Sequence, residues 1–110
     1  MTKDLVLQLK YLGVIPRIGH RDYGFRIEDK DKGIRQVILR IDDTVFLNHE
    51  LMFQEAPDLC YQKVLTDLSN ETAEAPINSR VLVTSTDVAF YRDSHPTTKS
   101  RNRLAKKRAE

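Results

Sequence analysis

The chain has one cysteine, no tryptophan, four glycines and four prolines. Cys60 alone forms no internal disulfide, so nothing here requires an oxidising compartment. No segment approaches the roughly 20 apolar residues of a membrane span. The apolar stretch near the N-terminus is interrupted by Gln8 and Lys10 and does not read as a signal peptide. The expected address is the cytoplasm. His20, His49 and His95, with a single cysteine, are too few for a convincing four-ligand zinc site. His49-Glu50 opens like a zinc-protease motif, but one helical turn on, where a second histidine would face the same metal, stands Phe53. Asp29, Asp31 and Gly33 lack the spacing of a calcium loop. Residues 19–24 lack the Gly-Lys-Ser/Thr ending of a phosphate loop. No metal, cofactor or catalytic set is expected.

What is present is the composition of a small folded domain. At 110 residues, 40% apolar and 31% charged, the chain reads as one globular unit. A chain of this size buries roughly 65% of its unfolded surface, enough for one core.

Apolar periodicity gives the layout. Leu5, Leu7, Leu9 and Tyr11 alternate with their neighbours and predict a strand, with a helix ending at Gly13 as the rival reading. Pro16 and Gly19 predict a loop. Tyr23, Phe25 and Ile27, then Val37, Leu39 and Ile41, predict two strands of a β-hairpin. Residues 29–33 join them, and Gly33 stands at a positive-φ position. Ile38 falls on the other face, between Gln36 and Arg40.

Asp42, Asp43 and Thr44 suit the start of a helix carrying Phe46, Leu47, Leu51 and Met52. Pro57 suits the first position of a second helix, on which Cys60, Val64 and Leu68 form a stripe. On that stripe Cys60 reads as a small buried hydrophobe rather than a nucleophile. Residues 70–76 read as a loop and residues 81–83 as a strand. A last helix carries Val88, Phe90 and Tyr91 and ends by His95-Pro96. The expected fold is α+β: a small antiparallel sheet, a meander built on a hairpin, covered on one face by two or three helices.

This strand–hairpin–helix order, with Phe53-Gln54-Glu55-Ala56-Pro57-Asp58-Leu59-Cys60-Tyr61 at its centre, resembles small bacterial domains of unknown function. The resemblance spans roughly residues 20–92. It implies a bacterial, cytoplasmic setting and carries no activity or site.

Charge divides the chain differently. Residues 96–110 hold six basic side chains and one acid, a net of +5, while residues 1–95 hold twelve Lys/Arg and fifteen Asp/Glu, a net of −3. The expected organisation is therefore a domain over residues 1–95 followed by a disordered basic tail over 96–110. Lys99, Arg101, Arg103, Lys106, Lys107 and Arg108 are spaced to track a polyanion, so the tail is the candidate nucleic-acid-binding element. It has no aromatic residue for stacking on single-stranded bases, and Leu104 is its only large apolar side chain, too little for membrane anchoring. The bland alternative is a solvated terminus that aids solubility. Two other classes stand beside nucleic-acid binding. One is a protein-interaction module or homodimer, drawing on the apolar cluster Phe46, Leu47, Leu51, Met52 and Phe53. The other is a small ligand-binding domain or enzyme with no recognisable motif.

Overall fold

The computed structural model describes residues 7–94. Three strands, β1 (Leu7–Arg17), β2 (His20–Asp29) and β3 (Gly33–Asp42), form an antiparallel meander. After β3 come a short helix, α1 (Asp43–Leu47), a 3-10 turn (Phe53–Glu55) and the longer α2 (Ala56–Ser69). A three-residue strand, β4 (Arg80–Leu82), then pairs parallel to β3, and α3 (Ser85–Ser94) follows. The sheet order is β1-β2-β3-β4, and the helices lie on one face of it. The fold is α+β as expected.

Period two explains which face is covered. Tyr23, Phe25 and Ile27 of β2 stand opposite Leu39, Val37 and Arg35 of β3. The apolar members of these rows, with Ile41, are almost wholly buried. Leu51, Ala56, Leu59, Cys60, Val64, Val83, Val88 and Tyr91 close over them. The Cys60 stripe therefore lies in the core, and burial pushes the thiol pKa up to about 12. Gly33 has φ +83°, as its place after the turn requires, and the Asp29 carboxylate accepts N–H bonds from Asp31 and Lys32. Thr84 and Asp87 cap α3 reciprocally: the Thr84 hydroxyl accepts from the Asp87 N–H, and the Asp87 carboxylate accepts from the Thr84 N–H.

Residues 7–12 are strand as expected, not the rival helix. Three local expectations are corrected. β1 runs on through Pro16, which had predicted a loop. Proline is tolerated on an edge strand, where its missing N–H can face away from the ladder. Between Tyr11 and Gly13 the register shifts by a bulge at Leu12. The first helix stops at Leu47 instead of continuing through Leu51 and Met52. His49 stands at φ 59°, its N–H donates to the Phe46 carbonyl, and the Glu50 N–H donates to the Val45 carbonyl. This is a Schellman termination with histidine in the place usually taken by glycine. Pro57 is the second residue of α2, not the first, and still lies in the first turn, where its missing N–H costs nothing. Residues 96–110, with the six basic candidates, lie outside the described residues, as do His95 and the predicted stop at Pro96.

One polar cluster ties the loop after α2 to the hairpin. The Glu71 side chain, only 5% exposed, accepts from Arg35 Nη1 (2.7 Å), Lys32 Nζ (3.2 Å) and the Ile77 N–H (2.9 Å). These donors, Arg35 foremost, hold its carboxyl at about 2, well below the usual carboxylate range. Nearby Asp29 lies 3.6 Å from Arg35 Nη2. The cluster fixes the path of the chain into β4.

Candidate interaction face

The second face of the sheet has no helix over it among the described residues. Its rows follow from strand parity and register. Gln8, Glu28 and Ile34 form one row, and Lys10, Arg26 and Gln36 the next. Gly13, Gly24, Ile38 and Arg80 form a third, and Ile15, Asp22, Arg40 and Leu82 a fourth. Arg17, His20 and Asp42 end the sheet.

Two features distinguish this face. The first is a depression of about 220 Å³ at its centre, where the paired glycines Gly13 and Gly24 leave the backbone bare. Leu12, Ile15 and Ile38 wall it, and Arg17, Asp22, Gln36 and Arg80 stand on its rim. A Cβ at Gly24 would lie 3.5 Å from Ile38 Cδ1 and 3.7 Å from Leu12 Cβ, ordinary contact distances. Ile15 on its wall, Leu82 in the same row as Ile15, and Ile34 two rows away from the glycines are each more than half exposed. The second feature is charge. Lys10, Arg17, Arg26, Arg40 and Arg80 face three carboxylates, Asp22, Glu28 and Asp42.

Lys10 and Arg26 sit directly across from each other, an unfavourable like-charge pair in isolation. Glu28 relieves it, at 3.5 Å from Lys10 and 3.1 Å from Arg26. Arg17 bonds Asp22 (3.1 Å), and Arg40 lies 3.3 Å from Asp42. Arg80 makes no ion pair with the described residues. His20 Nε2 lies 3.4 Å from the same Asp22, while its buried Nδ1 has no hydrogen-bond partner among the described residues.

The wider charge distribution has the same sense. Residues 7–42 carry eight Lys/Arg against five Asp/Glu, a net of +3. Residues 43–94 carry three Lys/Arg against nine Asp/Glu, a net of −6. Strands and helices thus form a cationic and an acidic layer, and Arg80 returns one more cation to the sheet.

The sequence reading missed these sheet cations because it treated the body as uniformly acidic. The signal was parity: Arg26, Arg40 and the displaced Ile38 all share the face opposite the core stripe. The apolar cluster proposed as a dimer contact is partly dissolved. Phe46 and Leu51 are buried, while Leu47, Met52 and Phe53 remain exposed. The Phe46 and Phe53 rings lie 4.6 Å apart, and the Arg21 guanidinium sits 4.3 Å from the Phe53 centroid. Among the described residues no group of three or more His, Cys, Asp or Glu could hold a metal ion. No described helix is long and apolar enough to cross a membrane. No family model, curated protein or solved structure matches the chain.

Proposed function

We propose that this chain is a non-enzymatic module that holds nucleic acid through its phosphates, without reading sequence. The observation that carries this is the separation of charge into a cationic sheet layer and an acidic helical layer. In this reading the sheet presents Lys10, Arg26, Arg40 and Arg80, and the tail supplies Lys99, Arg101, Arg103, Lys106, Lys107 and Arg108. Among the described residues the open face carries no Phe, Tyr or Trp, which favours backbone contact over base stacking. The pairing of Arg26 with Glu28 and of Arg40 with Asp42 leaves the face only moderately cationic, so the tail supplies most of the attraction. A bacterial, cytoplasmic setting belongs to the same proposal and rests on the resemblance of residues 20–92.

The test is salt-dependent binding of the full chain to duplex DNA, followed by fluorescence anisotropy. Six tail contacts give a slope of log K against log salt of about −5, steeper where the sheet joins in. Arg26→Glu with Arg80→Glu should flatten the slope by about 2. Replacing Lys106, Lys107 and Arg108 with Ala should flatten it by about 3. Absence of binding at about 50 mM salt, or a slope unmoved by both sets of changes, overturns the proposal.

A second reading has its own support. The exposed Ile15 and, in the same row, Leu82 beside a glycine-floored depression have the form of an apolar contact with a charged rim. In that reading the face binds protein, including a second copy. Sedimentation at several concentrations tests the homodimer: a monomer throughout removes it.

A further inference from the structure

Strand β1 is the long edge of the sheet: eleven residues, with β2 on one side and, among the described residues, no strand on the other. Hydrogen bonds at the opposite edge fix which of its backbone groups are free. The Ile38 N–H donates to the Ser79 carbonyl and the Val83 N–H to the Arg40 carbonyl, so Ile38 and Arg40 turn their backbone groups toward β4. Alternation then turns those of Val37 and Leu39 toward β2, and those of Phe25 and Tyr23 toward β3. Gly24, Arg26 and Glu28 are left to bond β1 through their partners Gly13, Lys10 and Gln8. The N–H and C=O groups of Leu7, Leu9 and Tyr11 therefore point away from the sheet. Their side chains share the covered face with those of Phe25 and Ile27.

The far half of this edge is blunted by the bulge at Leu12 and by Pro16, which has no N–H to offer. The near half, Leu7 to Tyr11, is regular. Beside it the rings of Tyr11, Phe25 and Tyr61 follow one another at 5.2 and 6.3 Å, and Tyr11 and Tyr61 are 43% and 37% exposed. Leu65 and Leu68 continue from Tyr61 along the same flank of α2. An apolar flank thus runs beneath a row of free backbone groups.

We infer that a second copy of this chain pairs its β1 antiparallel to this one over Leu7 to Tyr11, with the two-fold axis at Leu9. The segment is self-complementary about that residue. Leu7 stands opposite the second copy's Tyr11, and Leu9 opposite its counterpart, all with outward backbone groups, which gives about six main-chain hydrogen bonds. On the other face Gln8 stands opposite the second copy's Lys10, so no like charges meet directly. An axis at Lys10 would set the two lysines against each other, and an axis at Tyr11 would bring the bulge into the ladder. A contact of this length lies below about 1,200 Å², so the dimer is weak and reversible. It joins two four-stranded sheets into one and sets their open faces edge to edge.

The experiment uses the full chain. Sedimentation up to about 1 mM should show a reversible monomer–dimer equilibrium. Gln8→Lys meets Glu28 within its own chain but the second copy's Lys10 across the contact, so it should raise the dimer Kd roughly fivefold with the fold intact. For placement, chains carrying Gln8→Cys and chains carrying Lys10→Cys are mixed in a glutathione redox buffer. Positions 8 and 10 face each other with Cα atoms about 4.5 Å apart, within disulfide reach, while equal positions lie about 7–8 Å apart, beyond it. The mixture should form cross-linked mixed dimers, and each variant alone should not. The native thiol of Cys60 is buried and stays out of the exchange. A monomer at every concentration overturns the inference, including one whose Leu9 and Tyr11 amides are protected from exchange by another segment of the same chain. So does a dimer indifferent to Gln8→Lys, or one that cross-links position 8 to itself as readily as to position 10; either result moves the contact away from this edge. No nucleic acid is present, so failure here is separate from failure of the nucleic-acid reading.

Discussion

The two faces of one sheet teach different things. On the covered face Phe25, Ile27, Leu39 and Ile41 are fully buried, in one cluster with Ala56, Leu59, Cys60 and Val64 of α2. On the open face Ile15, Ile34 and Leu82 stand in solvent beside Arg26, Arg40 and Arg80. Arg26 shares β2 with Phe25 and Ile27, and Ile34 and Arg40 share β3 with Leu39 and Ile41; these differ only in parity. The covered parity specifies the fold, and its substitutions are costly. The open parity contributes little to stability, so its residues are free to serve contact.

Phe25→Ala should break this division if anything does. It removes a fully buried ring and should cost about 3–5 kcal/mol in urea unfolding. A cost below about 1 kcal/mol would mean that the covered face is not the core.

Glu71→Gln sharpens the comparison, because Glu71 is a polar residue that behaves like a core one. It should cost about 1–3 kcal/mol at neutral pH by weakening the bonds from Arg35, Lys32 and Ile77. Its folded-state pKa is depressed to about 2, from an ordinary 4.5. The stabilisation it gives is therefore present above pH 4.5 and is lost as pH falls toward 2. The gap in stability between the native chain and Glu71→Gln should close across that window. A gap independent of pH would remove the carboxylate as its cause.

Gly24→Ala should go the other way. Gly24 has no positive φ, and the added methyl meets Ile38 and Leu12 at ordinary distances. The substitution should stabilise by about 0.5–1 kcal/mol, as a strand glycine costs backbone entropy. It also partly fills the depression, so a partner that seats a side chain there should bind more weakly. Loss of stability would place the open face under a packing constraint that its exposure does not suggest.

Arg80→Glu has the smallest expected effect on folding, within about 0.5 kcal/mol. Its signature belongs in binding, where it should remove about one unit of salt slope. A thermal melt and a salt titration on the same variant separate the two effects.

Much of this was legible in the sequence. The alternation of Tyr23, Phe25 and Ile27 with Val37, Leu39 and Ile41 located the hairpin and its buried side. The Cys60–Val64 stripe located the core face of α2, and Val88 with Tyr91 located α3. What escaped was set by geometry between distant residues. The end of α1 depends on His49 taking a left-handed conformation that its residue type does not announce. Pro16 reads as a loop until β1 is known to be an edge strand. The Glu71 cluster joins residues 36 and 39 positions apart, and no local pattern reports it. The cations of the open face become a face only once the strand register is known.

The three-residue strand β4 has one further consequence. Its ladder, Ile38 to Arg80 through Arg40 to Leu82, is short, and it is closed over a separation of more than forty residues. Such a clasp forms after the local meander and opens before it, so β4 and α3 should exchange their amide hydrogens sooner than β2. While open it bares the edge of β3. Arg80 belongs both to this clasp and to the open face, so a ligand held by Arg80 binds only the closed form. By linkage, each tenfold rise in that ligand above its Kd would lower the population of the open form by about the same factor. Occupancy of the face would then be readable as hydrogen-exchange protection at Val83, whose N–H donates to the Arg40 carbonyl.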